Sequence, residues 1–424
     1  MKVLVIGSGA REHALVTSLL ADDEVTEVVV APGNAGIAQV VRTVPLAVTD
    51  PAAVADLAAE EDVDLVVVGP EVPLVAGVAD AVRDRGIACF GPSAAAAQLE
   101  GSKAFAKQVM AEAGVPTSMS HVCTDLAEVA AALDQFGPPY VVKDDGLAAG
   151  KGVVVTRDRE AALEHARVCL AKGAQAQVVI EEFLDGEEVS LFGITDGTTV
   201  IPLQPAQDFK RVADGDEGPN TGGMGAYSPL PWAPSGLTDD VTVRVLQPMV
   251  DAMRHRGTPF SGLLYAGLAM TSRGIRVIEF NARFGDPETQ VVLANLRTPL
   301  GQLLMAAATR RLGDLPPLVW QSGYAVTVVI AAAGYPEAPR TGDVISGLEE
   351  AAELVGVEVF HAGTSVSDDG SVVSSGGRVL SVTAHGATLA SAREHAYAAV
   401  DLITLEGSHH RRDIAQRAAD AVEG

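Results

Sequence analysis

From Lys2 to about Gly91, short apolar runs (Val3 to Ile6, Glu27 to Val30, Leu65 to Val68, Ala88 to Phe90) alternate with Ala-rich stretches of helical periodicity. Continuous apolar runs of this kind are strands covered by helices on both faces, so the pattern predicts a doubly wound parallel sheet. Ligands of such sheets lie beyond the strand C-termini. Here that edge carries Gly7, Pro32 to Gly36 and Gly69 to Glu71.

The pattern then changes character. A helical stretch from Ser93 to Ala113 ends at Gly114-Val115-Pro116, and strands are expected near Tyr140 to Lys143, Gly152 to Thr156 and Val178 to Glu182. Further strands follow at Leu191 to Ile194, Leu263 to Met270 and Arg276 to Asn281, with a long loop between Asp208 and Pro231. After Pro316-Pro317 come strands at Ala325 to Ala331, Val357 to His361 and Arg378 to Thr383 and a helix from Thr388. The expected units are 1–114, 115–190, 191–318 and 319–424, an α/β chain whose last unit is α+β. Its 424 residues suit several domains, and 4% aromatic content beside abundant Ala, Val and Gly argues against an aromatic-rich β-sandwich.

Charge removes some partners. Thirty Lys+Arg against 55 Asp+Glu give a net charge of −25, a field that repels nucleic acid and anionic membrane surfaces. Three widely spaced cysteines (Cys89, Cys123, Cys169) form neither a disulfide framework nor a zinc spacing. No apolar run spans a bilayer and the chain opens on a strand without a secretory leader, so a cytoplasmic protein is expected, with no membrane partner.

Any phosphate must therefore be met by locally gathered cations. Gly7-Ser8-Gly9-Ala10-Arg11-Glu12-His13 follows a strand and opens a helix, the setting of a phosphate site. The dinucleotide fingerprint fails, since Glu12 stands at the third glycine and Ala31-Pro32-Gly33-Asn34 where the acid belongs. Gly9, Arg11, Asn34, Gly36 and Glu71 remain substrate candidates at this sheet edge. Lys143-Asp144-Asp145-Gly146-Leu147-Ala148-Ala149-Gly150-Lys151-Gly152 is a glycine-punctuated loop with a lysine on each side, suited to ATP phosphates. It is not a Walker loop, because Asp145 takes the first glycine position and Gly152 the Ser/Thr position. Glu181, Glu182, Leu184 and Glu188 stand at a strand exit where a nucleoside could be read.

In Arg276 to Glu288, strand alternation puts Glu279 and Asn281 on one face, two oxygen ligands for a nucleotide-bound divalent cation. Arg283, read on the same parity, is placed to neutralise a developing anion. Asp208-Phe209-Lys210-Arg211 with Gly218 to Pro229 exposes glycine amides beside positive charge, which suits a small anionic substrate. Asp208, Lys210, Asn220, Gly222, Gly223 and Met224 are its candidates.

Taken together, these strings resemble the phosphoribosylamine–glycine ligase family of the ATP-grasp superfamily. The resemblance rests on VLVIGSGAREHAL, APGNAG, VVGPEVPLV, FGPSAAAAQLEGSKAFAK, GLAAGKGV, IEEFLDGEE, GPNTGGMGAYSP, EFNARFGDPETQ, FHAGT and GGRVL, in that order along the chain. It implies an ATP-grasp fold: an N-terminal domain for 5-phosphoribosylamine, a small lid, a central ATP and metal domain, and a C-terminal domain. It also implies ATP with Mg²⁺ or Mn²⁺, the substrates glycine and 5-phosphoribosylamine, and a monomer or weak dimer. Carried over by position, Lys103 and Lys143 contact phosphates, Gly146 to Gly152 close over them, Glu181, Leu184 and Glu188 bind adenosine, and Glu279 and Asn281 hold the metal. Lys143 and Arg283 are the expected catalytic charges, acting on a glycyl phosphate intermediate. His13 and His361 are read as hydrogen-bonding groups. The chain departs from the family's pattern at Asp144, at His410 and at Ala415, where glycine is usual.

A sibling ATP-grasp carboxylase or transformylase would share the lysines and metal pair but lack the glycine-rich loop. A nicotinamide dehydrogenase would need the missing third glycine and acid, and an inactive nucleotide sensor would have lost Lys143 or the metal pair.

Overall fold

The first sheet forms because Val3, Leu4, Val5 and Ile6 are all fully buried, with helices packed on both faces. In the computed structural model, which describes residues 1–147 and 152–423, its five parallel strands run Arg42–Thr43, Glu27–Pro32, Lys2–Gly7, Leu65–Val68, Ala88–Phe90. The winding reverses between Lys2–Gly7 and Leu65–Val68, so the loops after Gly7 and Val68 splay apart and open a crevice there.

The helical stretch expected from Ser93 to Ala113 is two helices, Ala94–Gly101 and Lys103–Ala113. Ser102 breaks them: its backbone is extended and its hydroxyl accepts the Phe105 amide, starting a new helix. This break aims Lys103 out of the first turn of the second helix.

Two antiparallel sheets follow. Ser120–Cys123, Val178–Glu181, Tyr140–Asp144 and Val153–Thr156 form one, backed by helices Leu126–Phe136 and Arg159–Leu170 over a small core around Leu133 and Ile180. Val200–Pro202, Glu187–Asp196, Ser261–Thr271 and Gly274–Asn281 form the other. The junction between them is tied at Thr117, which bridges to Val277.

The stretch from Asp208 to Pro231 is not a structureless loop. Phe209, buried Tyr227 and fully buried Met224 give it a core of its own, and it folds as a short hairpin (Arg211–Ala213 with Glu217–Asn220) and the strand Gly225–Ser228. That strand pairs with Tyr324–Ala331, so the segment enters the last sheet, ordered Gln207–Asp208, Gly225–Ser228, Tyr324–Ala331, Arg378–Gly386, Val357–His361. Fully buried Arg411 stacks 4.9 Å over Phe209 and holds Asp216 and Asp413, pinning the hairpin to the C-terminal end of the chain. Ala415 adopts φ +60° with its methyl buried. Among the described residues, no helix is long and apolar enough to cross a membrane.

Candidate active site

The two antiparallel sheets meet around one buried carboxylate. Lys143, on Tyr140–Asp144, places Nζ 3.1 Å from Glu181 Oε2 and donates to the Ile278 carbonyl at 3.0 Å. From the other side Lys107 Nζ stands 3.2 Å from Glu181 Oε1, and the Ser118 hydroxyl donates to Glu181 Oε2 at 2.6 Å. Glu181 is 3% exposed, with every oxygen engaged. Burial pushes its carboxyl up, and the two lysines and Ser118 outweigh that and hold it below the usual range. Expected from the sequence at the adenosine edge, its side chain is engaged here by protein cations. Glu182, expected at the same edge, is placed differently. Strand alternation turns it to the opposite face, where it accepts the Met119 amide and an Arg273 nitrogen, each at 3.0 Å.

Lys103 donates to the Gly146 carbonyl at 3.0 Å. Asp145 accepts from Ser102 and the Ala104 amide, so its carboxylate occupies the N-terminus of the Lys103 helix, where a Walker loop would seat a phosphate. Asp144 points away from Lys143 and pairs with Lys172 at 2.5 Å; it brings no negative charge to the lysine face. Gly150 and Lys151 lie outside the described residues. Gly152 ends the segment, its carbonyl accepting the Asp144 amide at 2.8 Å. Leu184 is partly exposed between the two sheets. Glu188, half exposed, accepts from Lys210 at 2.6 Å, and Lys210 also holds Asp208 at 2.9 Å.

Glu279 and Asn281 share a face, as alternation requires, although the strand carries an irregularity between Val277 and Glu279. The buried positions shift from Ile275 and Val277 to Phe280 as a result. Among the described residues neither side chain has a hydrogen-bond or ion-pair partner. A carboxylate and an amide oxygen, unpaired and partly exposed beside Lys143, are hard donors that fit a nucleotide-bound Mg²⁺ or Mn²⁺.

Arg283 lies elsewhere than parity implied. The strand ends at Asn281, and past the turn the guanidinium reaches the N-terminal crevice, 3.3 Å from Glu71 and 3.2 Å from Glu100. There it joins Arg11, which donates to the Phe284 carbonyl at 3.0 Å and to Glu12 at 2.5 Å. Glu12 explains the failed dinucleotide fingerprint. Its carboxylate accepts the Gly9 amide at 2.6 Å and fills the space beneath Gly69, where an added Cβ would stand 2.0 Å from Oε1. The helix N-terminus is already occupied by an anion of the chain itself.

Asn34 is a strut as well as an edge residue. It donates to the Ser8 and His361 carbonyls and accepts the Gly36 and Ile37 amides. Gly36 leaves room for two rings, since an added Cβ would meet His361 at 2.4 Å and His13 at 2.8 Å. Gly36→Ala is expected to cost roughly 1 to 3 kcal/mol, as overpacking of a rigid interior does, read as a lowered thermal midpoint. Burial pushes His13 down to about 3 and His361 to about 4, so both are neutral hydrogen-bonding groups.

The glycine-rich segment closes the crevice. Arg378, from the last sheet, donates to the carbonyls of Gly222 (2.6 Å), Gly223 (3.3 Å) and Asp286 (2.9 Å) and pairs with Asp286 Oδ2 at 3.1 Å. The Gly222 amide donates to the Tyr335 hydroxyl at 3.1 Å. Asn220 lies beside them, partly exposed. Met224, a substrate candidate in the sequence, is fully buried and packs within the segment. Glu288 is 4% exposed and accepts from Ser190 at 3.1 Å; burial, then Asp208, push it up to about 7. Sequence reasoning missed Lys107, Glu100, Asp286, Glu288 and Arg378 as site residues. Lys107 had a signal, one helical turn after Lys103; Arg378 lies in the GGRVL string, but nothing local says what it holds.

Comparison with known proteins agrees along the whole chain. The family model described as phosphoribosylglycinamide synthetase, N domain, matches residues 1–100, the ATP-grasp (A) domain model 101–289 and the C domain model 325–417. Curated phosphoribosylamine–glycine ligases are similar: that of Streptomyces coelicolor is 67% identical, covering 99% of this chain and 100% of its own, and that of Leifsonia xyli subsp. xyli 59%, with the same coverage. The crystal structure of the Thermotoga maritima phosphoribosylamine–glycine ligase superposes with a TM-score of 0.84 at 33% identity, covering 98% of this chain and 100% of that one. The biotin carboxylase domain of Hydrogenobacter thermophilus 2-oxoglutarate carboxylase, solved with MgADP and bicarbonate, shares the fold at TM-score 0.70 and 16% identity, covering 96% and 91%.

Proposed function

The chain belongs to the phosphoribosylglycinamide synthetase family, and from that premise we propose which of its residues carry the reaction. It is an ATP-dependent, ADP-forming ligase of purine biosynthesis that joins glycine to 5-phosphoribosylamine. ATP-grasp enzymes use ATP with Mg²⁺ or Mn²⁺, and small molecules are the substrates of the family. The small, charged, water-soluble substrates of the family support a cytoplasmic reaction.

The observation that carries the assignment is the division of charge between two neighbouring places. Lys103, Lys143, Glu188, Glu279 and Asn281 gather where the antiparallel sheets meet, and Arg11, Arg283 and Arg378 gather at the parallel-sheet crevice. We assign ATP to the first, phosphates toward Lys103 and Lys143 and ribose toward Glu188. A divalent cation held by Glu279 and Asn281 supplies charge neutralisation to the transferring phosphate when bound.

A glycine carboxylate oxygen forms a bond to the γ-phosphorus as the bond to the ADP oxygen breaks, giving glycyl phosphate. The amine of 5-phosphoribosylamine then attacks the acyl carbon, inorganic phosphate leaves and the nitrogen sheds a proton. Lys143 stabilises the transferring phosphate, and its own position is set by Glu181 and the Ile278 carbonyl. Arg283, balanced by Glu71 and Glu100, positions the crevice wall and faces the second substrate with Gly9 and Arg11. Asp208 and Lys210 link the two places, and Gly222 and Gly223 form the cover that keeps water from the acyl phosphate.

ADP release is expected only with glycine and 5-phosphoribosylamine both present; turnover indifferent to glycine sinks the assignment. Asn281→Ala is expected to raise the Mg²⁺ concentration for half-maximal turnover by at least about tenfold. Its thermal midpoint is expected to stay put, because among the described residues the side chain has no partner to lose. Equal loss of turnover and stability would reassign Asn281 to the fold.

A further inference from the structure

Lys107 is a charge that the proposed mechanism leaves unused. It sits one helical turn beyond Lys103 on Lys103–Ala113, yet the two side chains go to different places. Lys103 reaches the Gly146 carbonyl, whereas Lys107 turns inward, 9% exposed, beneath the strand Val178–Glu181. Its ammonium donates to Thr117 Oγ1 (2.9 Å), Ser118 Oγ (2.6 Å) and the Ser118 carbonyl (3.2 Å) and stands 3.2 Å from Glu181 Oε1. Thr117 in turn donates to the Val277 carbonyl at 2.7 Å, one residue before the carbonyl that Lys143 uses. A single buried carboxylate thus sits between two lysines from different elements.

Burying an unmatched charge is costly, so the number of cations around Glu181 decides how Lys143 behaves. With both lysines ionised the triad is net positive, and Glu181 is satisfied without the whole charge of Lys143. With Lys107 neutral or absent, Glu181 and Lys143 form a closed pair, and the charge offered to an incoming phosphate falls. We propose that Lys107 is a positioning residue of the ligase reaction, sharing Glu181 so that Lys143 keeps an available positive charge for the nucleotide phosphates, without touching the nucleotide itself.

The arrangement also makes nucleotide affinity sensitive to alkaline pH. The charged groups facing Lys107 are Glu181 and Lys143, with Glu182 farther off. Burial, and then Lys143, lower its pKa against the opposing pull of Glu181, leaving it at about 8. Protonated below that value, Lys107 supports phosphate binding; as pH rises through it, the support is lost.

The inference rests on the assignment of ATP to Lys143, and the test keeps the two apart. MgADP binding to the full chain is measured by calorimetry between about pH 7 and 9.5, a range in which Lys107 titrates and ordinary carboxylates do not. Wild type is expected to weaken by about tenfold above pH 8. Lys107→Met is expected to bind about tenfold more weakly at neutral pH, with the pH limb gone. Lys107→Arg keeps a permanent charge, so it is expected to restore affinity and also lack the limb. A limb unchanged in Lys107→Met, no limb in wild type, or arginine failing to rescue a folded variant overturns the role of Lys107. Wild type that does not bind MgADP overturns the nucleotide assignment beneath it.

Discussion

Lys143→Met is expected to lower turnover by about a hundredfold to a thousandfold, the usual cost of removing one preorganised charge from a transferring group. The same substitution is expected to leave the fold in place. Glu181, the buried carboxylate that Lys143 shares, keeps Lys107 and the Ser118 hydroxyl as partners, so no uncompensated charge remains at the junction. ADP release with all substrates saturating reads the first effect and the thermal midpoint reads the second. Turnover within about threefold of wild type removes Lys143 from the mechanism, given the size of the expected loss. A collapse in stability of matching size makes it a structural lysine.

Arg378→Ala acts on the other half of the site and on stability together. It removes the donor to three loop carbonyls and leaves Asp286, 14% exposed at its side chain, without its cation. Burial pushes Asp286 up, and Arg378 and Arg11 hold it below the ordinary carboxylate value. Removing one member of such a pair costs about 3 kcal/mol, toward the low end for buried pairs because Gln290 still donates to Asp286 at 3.0 Å. The loop at Gly222 and Gly223 loosens, and kcat/KM for 5-phosphoribosylamine is expected to fall by about a hundredfold, the scale of a small misplacement. The KM for ATP is expected to change little, because Arg378 touches nothing at the nucleotide end. An equal rise in both KM values would mean that the loop covers both substrates. Activity unchanged despite the lost stability would confine Arg378 to the fold. The sign with pH follows from the depressed carboxyl: the stability from Asp286 is present above its unfolded value and lost as pH falls through the folded one, so Arg378→Ala narrows the gap to wild type in acid.

Much of the architecture was legible in local pattern. The parallel sheet was readable because each of its central strands is apolar on both faces, which few other settings demand. The Glu279 and Asn281 pair was readable because two residues apart on a strand means one face, and the local irregularity lies before them. Arg283 was misplaced by the same rule, applied two residues beyond the end of the strand. The segment from Asp208 to Pro231 looked like a loop because its strands are short and glycine-rich, and the partner of Gly225–Ser228, Tyr324–Ala331, lies about a hundred residues later. Met224, an apolar residue among glycines, was read as packing the segment as well as a substrate candidate, and it is fully buried.

Residue order and periodicity were enough for the fold class, for the exclusion of Walker and dinucleotide modes, and, through the ordered strings of the family, for the reaction. Those features are written locally, in runs, spacings and breaks. Charge pairing was not. That Glu181 serves two lysines, that Glu12 fills its own helix N-terminus beneath Gly69, and that Arg378 locks a loop 155 residues away are facts of distance in space. A charged side chain acts over a few ångströms whatever its place in the chain, so only the packing of the sheets decided which charges face substrates and which face one another.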